Sequence, residues 1–188
     1  MRSVALALVL VAAAAPARSQ SFQEQFATCL ACHGEADRSA GAEVPYLGGQ
    51  PALFVMFQLF MFREGQRANP AMDPFAKTFT DDNLRRYSEA ITKLLPPRPP
   101  AEVPDAARYE HGKALAARGR CDYCHNPDYS GKDQTPRIAH QREDYLVKSL
   151  HDYKAGRRIG TRAAMAEAVH GLSDTDIADL AHYIAHFR

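Results

Sequence analysis

The sequence predicts an all-α protein of two tandem domains, and three observations carry that expectation. Apolar residues recur at spacings of three and four, with no convincing two-residue alternation. A proline-rich stretch divides the chain. The pieces on either side of it match each other in register, as an internal duplication would.

The elements follow in chain order. Arg2 precedes an apolar run from Val4 to Ala15 and then Ala15-Pro16-Ala17. The run is about 12 residues, too short to cross a bilayer as a helix, and reads as a secretory signal over residues 1–17 that is cleaved near residues 17–20. An uncleaved N-terminal anchor is the alternative. Phe22, Phe26, Cys29, Leu30 and His33 then lie on one face of a helix. The stretch Phe54 to Phe62 is strongly apolar, and Thr80 opens a helix through Leu84, Tyr87 and Ile91. Five of the twelve prolines fall within residues 96–104. Proline there removes amide donors and favours an extended spacer, so this segment is expected to link a domain over 18–95 to one over 105–188. The second unit enters with a helix from Asp105 to Arg118, broken at Gly119, and closes with Ser173, Asp176, Ile177, Leu180, Ala181, Ile184 and Phe187 in a capped amphipathic pattern.

The duplication is visible residue by residue. Cys29-Leu30-Ala31-Cys32-His33 matches Cys121-Asp122-Tyr123-Cys124-His125, and Pro45, Gln50, Gly65 and Arg67 match Pro136, Gln141, Gly156 and Arg158. Met72 matches Met165, Thr80 matches Ser173 and Leu84 matches Ile177.

Composition excludes several classes. The chain has 188 residues, 46% hydrophobic and 24% charged, with four Cys and no Trp, which argues against disorder and a disulfide-dense miniprotein. A formal charge of +1 offers no basic field for nucleic acid. Residues 18–95 carry 8 basic and 9 acidic groups and residues 105–188 carry 13 and 12, so steering of partners is expected to be weak and docking short-range.

Every cysteine lies in a Cys-x-x-Cys-His unit, the c-type haem attachment signature. Two thiols at this spacing can add to the two vinyl groups of one porphyrin, with the adjacent histidine beneath the iron. Two covalent haems would also supply each small domain with a large apolar core element. A structural zinc site would bring its cysteine pairs within about 15 to 20 residues, closer than these, and a thioredoxin-like pair needs a βαβ context. Disulfides would not require the histidines. A sixth iron ligand is expected from Met72 and Met165, both read as lying in a loop after the Gly-x-Arg turn and before the last helix, because a thioether favours the reduced iron; the alternative for each is a core methionine filling a gap. Met56 and Met61 align with Val147 and Asp152 and read as core or interface groups. Bis-histidine ligation would have to draw on His111, His140, His151, His170, His182 or His186, none of which has a counterpart in the other repeat. The last three lie at or in the final helix, where a solvent-facing or capping role is expected. Pro45 and Pro136 are expected to offer a backbone carbonyl to the second nitrogen of His33 and His125, or else to be turn residues only.

The chain resembles the dihaem cytochromes c of the cytochrome c4 type, built from two class I cytochrome c domains. The resemblance rests on Cys29 to Gly34, Pro45 to Gln50, Gln58 to Arg67, Met72 and the helix start at Thr80, and on Cys121 to His125, Pro136 to Gln141, Tyr153 to Arg158, Met165 and Leu172 to Leu180. It implies an electron carrier, not an enzyme, in the periplasm. Its partners would be a quinol-oxidising complex or dehydrogenase on one side and a terminal oxidase on the other. Similar chains serve as cytochrome subunits of flavin-containing sulfide dehydrogenases, and that role stays open, as does peripheral membrane association. A haem enzyme or gas-binding module would need a vacant iron, against which the duplicated methionine argues. Phe57, Phe60 and Met61 replace Lys148, His151 and Asp152 of the second repeat, an apolar stripe expected to dock the other domain, a second copy or a partner, or else to cover extra core within the first domain.

Overall fold

The computed structural model describes residues 20–35, 41–158 and 163–188. The expected signal segment lies outside the described residues. Among the described residues the secondary structure is helical, with an isolated bridge between Lys132 and Thr135 and no strand. The first half holds α1 (Phe22–His33), α2 (Ala52–Arg63), α3 (Asp73–Ala76) and α4 (Asp81–Thr92). The second half holds α5 (Ala106–Arg118), α6 (Cys121–His125), α7 (Glu143–Lys154), α8 (Ala163–His170) and α9 (Asp174–Ala185).

Local sequence explains where these helices start. Ser21, Thr80 and Ser173 each cap a helix with the side-chain oxygen, and Glu24, Asn83 and Asp176 return the bond to the cap residue's N–H. Asp105 caps α5 through Arg108 N–H. The second repeat breaks its helix before the cysteine motif: Arg120 adopts a left-handed conformation, and the motif sits on the separate short α6. In the first repeat the motif completes α1. The residue after each motif histidine again has positive φ, Gly34 at 67° and Asn126 at 70°. Asn126 offsets the strain with side-chain bonds to Ser130 Oγ and the Gly131 carbonyl.

Two buried apolar clusters form, each drawn from one half. The first centres on Val55, Leu59, Leu84, Tyr87 and Ile91. The second is larger and centres on α9, with Ile177, Leu180, Ala181 and Ile184 against Leu115, Ala116, Leu146 and Leu150. The halves meet through polar contacts: Phe54 N–H donates to the Asp133 carbonyl at 3.0 Å, and Glu43 N–H to Asp144 at 3.0 Å. The proline segment is anchored as well, since His140 Nδ1 meets the Pro97 carbonyl at 3.1 Å, and just before it the Leu94 carbonyl accepts from Gly49 N–H.

Two expectations are corrected here. Met165 lies within α8, not in a loop, whereas Met72 occupies the cap position before α3. The stripe Phe57, Phe60 and Met61 is divided: Met61 is only 2% exposed and is a buried group unavailable for docking. Met61 lies one turn from the buried Gln58 on the inward side of α2, and Phe60 lies about 100° away around the helix. Phe57 and Phe60 are half-buried, stack at 6.3 Å and line a groove with Leu53 and Met56.

Candidate functional site

The two cysteine motifs occupy equivalent places, each ending in a histidine packed inward. His33 is 9% exposed and His125 5%. The Nδ1 of His33 meets the Pro45 carbonyl at 2.8 Å, and the Nδ1 of His125 meets the Pro136 carbonyl at the same distance. The carbonyl role expected for the two prolines is therefore present in both halves. With Nδ1 held as the N–H donor, Nε2 becomes the nitrogen that each ring presents as a metal ligand. Burial lowers the His33 pKa against the Pro45 hydrogen bond, which favours the neutral ring that metal ligation needs.

Loop geometry aims the second carbonyl. Gly131 has φ of 75° and its N–H bonds the His125 carbonyl at 2.9 Å. A Cβ there would meet the Arg137 nitrogen and the Pro136 carbonyl carbon at 2.4 Å, so only glycine lets this loop pass the Pro136–Arg137 peptide.

All four cysteines are unbridged, with Cys29 and Cys121 half-buried and Cys32 and Cys124 exposed. Burial pushes the Cys29 thiol up, and burial together with Asp122 pushes Cys121 up to about 11. Met72 packs against the first apolar cluster and Met165 against the second. Asn69 fixes the Met72 backbone: its Oδ1 accepts from Met72 N–H at 3.1 Å.

Five of the six histidines outside the motifs face partners elsewhere, and His170 is exposed at the end of α8. His111 bonds Asp179 at 2.9 Å. His140 faces two carbonyls and His151 lies 3.9 Å from Asp174. His182 and His186 are buried, so the solvent-facing alternative is corrected, while His186 does occupy the C-cap position of α9. His182 bonds Glu143 through Nδ1 at 2.8 Å and accepts Asp105 N–H through Nε2, and His186 Nδ1 bonds the His182 carbonyl. Glu143, His182 and His186 converge closely enough to hold a cation, but both nitrogens of His182 are engaged, and the trio anchors α5 to α7 and α9.

A cationic pocket between the halves went unread in the sequence. Arg67 and Arg158, equivalent in the duplication, both donate to Gln58 Oε1, at 2.6 and 3.4 Å, and Arg67 also donates to Tyr145 Oη at 3.2 Å. Burial would raise the Tyr145 phenol, but Arg158 and Arg67 overcome it and bring it down to about 7. Two buried donors of this cluster, Gln58 Nε2 and Arg158 Nε, have no hydrogen-bond partner. Two guanidinium groups and orphaned donors call for an acceptor-rich anion. The carboxylates of a porphyrin meet that need, so the residues present fit a haem. The matched pair Arg67 and Arg158 was the available signal.

An all-helical fold in two halves, each with an inward histidine hydrogen-bonded to a proline carbonyl beside two thiols, defines a c-type cytochrome. The cytochrome c family profile matches residues 109–188. A cytochrome c4 from Thiocapsa roseopersicina is 31% identical over 83% of this chain and 85% of its own length. A thiosulfate dehydrogenase electron acceptor from Thiomonas intermedia (strain K12) is 30% identical over 83% of this chain and 76% of its own length. The crystal structure of reduced recombinant cytochrome c4 from Pseudomonas stutzeri superposes with a TM-score of 0.78 at 26% identity, covering 88% of this chain and 96% of that one. The chain belongs to the cytochrome c4-type dihaem cytochromes. Its cofactors are two c-type haems, and it is an electron carrier.

Proposed function

We propose that this chain is a periplasmic carrier in which Cys29 and Cys32 tether one haem between His33 and Met72, and Cys121 and Cys124 tether a second between His125 and Met165. A bound c-type haem supplies a one-electron iron couple. The chain's residues hold the ring by thioethers, orient the imidazoles through Pro45 and Pro136, neutralise the carboxylates with Arg67 and Arg158, and keep water from the metal with the two apolar clusters. No bond-making chemistry is assigned. The domains are taken as 18–95 and 105–188, joined by 96–104 after removal of 1–17. In favour of that division, each buried cluster draws on one half only. Export is inferred from the sequence; separately, no described helix is long and apolar enough to cross a membrane.

The observation that carries this reading is the repeated Cys-x-x-Cys-His unit with an Nδ1-to-proline bond of 2.8 Å in both halves. Its test is maturation in a haem-loading periplasm followed by haem counting and carbon monoxide addition to the reduced protein. Two haems per chain and little response are expected. Met72→Ala and Met165→Ala should each make one haem bind carbon monoxide; a parent protein that binds it at once would remove the methionine assignment.

For the donor, the relative named as a thiosulfate dehydrogenase electron acceptor favours a dehydrogenase, with a terminal oxidase as acceptor. The groove lined by Phe57 and Phe60 is the docking surface in this reading. Phe57→Lys with Phe60→Ser should slow reduction by such a dehydrogenase without altering the haem spectra; unchanged kinetics would discard the surface.

A further inference from the structure

The duplicated loops that carry Pro45 and Pro136 do not end at their own histidines. Each is gripped by a glutamine from the opposite half. Gln141 Oε1 accepts Tyr46 N–H at 2.8 Å, and Gln141 Nε2 donates to the Tyr46 carbonyl at 2.9 Å. Reciprocally, Gln50 Oε1 accepts Arg137 N–H at 3.1 Å, and Gln50 Nε2 donates to the Arg137 carbonyl at 2.9 Å. Gln50 is 6% exposed and Gln141 4%, so water does not compete for these bonds. One N–H and one C=O on each partner residue admit only one orientation of each amide.

The peptide units involved are the ones that orient the imidazoles. The Pro45–Tyr46 amide accepts from His33 through its carbonyl and donates to Gln141 through its N–H. The Pro136–Arg137 amide likewise joins His125 to Gln50. An acceptor on the N–H of a peptide polarises its carbonyl, and hydrogen bonds in series strengthen one another by roughly 10–30% per bond. A stronger carbonyl acceptor on Nδ1–H makes the imidazole a better electron donor to a metal at Nε2.

We propose that Gln50 and Gln141 are crossed positioning residues: each tunes the proximal histidine of the other half, so that the docking of one domain sets the redox poise of its neighbour's iron. This rests on the assignment of His33 and His125 as iron ligands. A donor-rich imidazole favours ferric iron, so loss of the glutamine amide favours the reduced state in the opposite half.

The test uses full-length haem-loaded protein with Gln141→Leu and Gln50→Leu, each haem followed separately by its hyperfine-shifted NMR resonances during a redox titration. Gln141→Leu should raise the reduced-to-oxidised ratio of the His33 haem by about threefold at fixed ambient potential. It should also speed exchange of the His33 Nδ1–H and leave the His125 haem unmoved. Gln50→Leu should do the reverse. Effects confined to the glutamine's own half, or absent, overturn the relay. If Gln141→Leu shifts both haems, Gln141→Met decides, because it keeps the length of the side chain without charge and without an acceptor for the Tyr46 N–H. A shift that persists at the His33 haem alone supports the relay, and return of both haems to the parent ratio assigns the effect to a loosened interface. Protein that fails to bind haem at all counts against the ligand assignment instead.

Discussion

The same helix crossing is solved in two ways in the two halves. In the second, α5 presses directly onto α9 because residue 112 is glycine: a Cβ there would stand 2.1 Å from the Asp179 carbonyl oxygen and 2.7 Å from Tyr183 Cβ. In the first, α1 is held against α4 by rings. Phe22 lies 5.5 Å and Phe26 6.4 Å from Tyr87, and Phe79 packs on Tyr87 at 4.9 Å. Close backbone contact buries a large continuous cluster around α9; an aromatic wedge leaves a smaller one. The second half also locks its crossing with ions, since Arg108 bonds Glu143 at 2.7 Å and Asp179 at 3.0 Å. The first half is therefore expected to depend more on its haem for stability.

The contrast can be broken most strongly at Gly112. Gly112→Ala should destabilise the second half by about 3 kcal/mol through overpacking and leave the first half's melting unchanged, as calorimetry of the haem-loaded protein would resolve. Asp179→Ala removes one of the two carboxylates bonded to Arg108 and the Nδ1 partner of His111, and should cost about 2 kcal/mol in the same half by chemical denaturation. Tyr87→Leu removes the centre of the wedge and its bond to Gln25, for a loss of about 1.5 kcal/mol confined to the first half.

The smallest effect concerns acid and the seam between the halves. Hydrogen bonds from Arg142 hold the Asp144 carboxyl at about 2, below its ordinary 3.8, against burial, and Glu43 N–H adds to them. A folded-state value below the unfolded one means that this contribution is complete above pH ~4 and is lost as the pH falls toward ~2. Unfolding midpoints across that window should fall less steeply in Asp144→Asn than in the parent.

Much of this was legible along the chain because it depends on neighbours in sequence. Ser173 with Asp176, and Asp105 before α5, marked helix starts through bonds spanning three residues. The cysteine motifs declared the cofactor through their spacing. Met61 was legible only as a core or interface group, and the choice of core was not, since it depends on which side of α2 the rest of the fold covers. Nor was Met165 within α8, where the first repeat has the short α3 after Met72.

Sequence by itself determined the all-helical class, the duplication and two haem attachment units, because each is written in local spacing or in a repeat; it nominated Pro45 and Pro136, and the fold decided that their carbonyls meet the imidazoles. Only the tertiary structure decided that Gln50 and Gln141 exchange partners between halves and that Arg67 and Arg158 converge on Gln58. Hydrogen bonds between residues 78 to 100 positions apart have no periodic signature; they exist because folding brings two copies of one loop face to face.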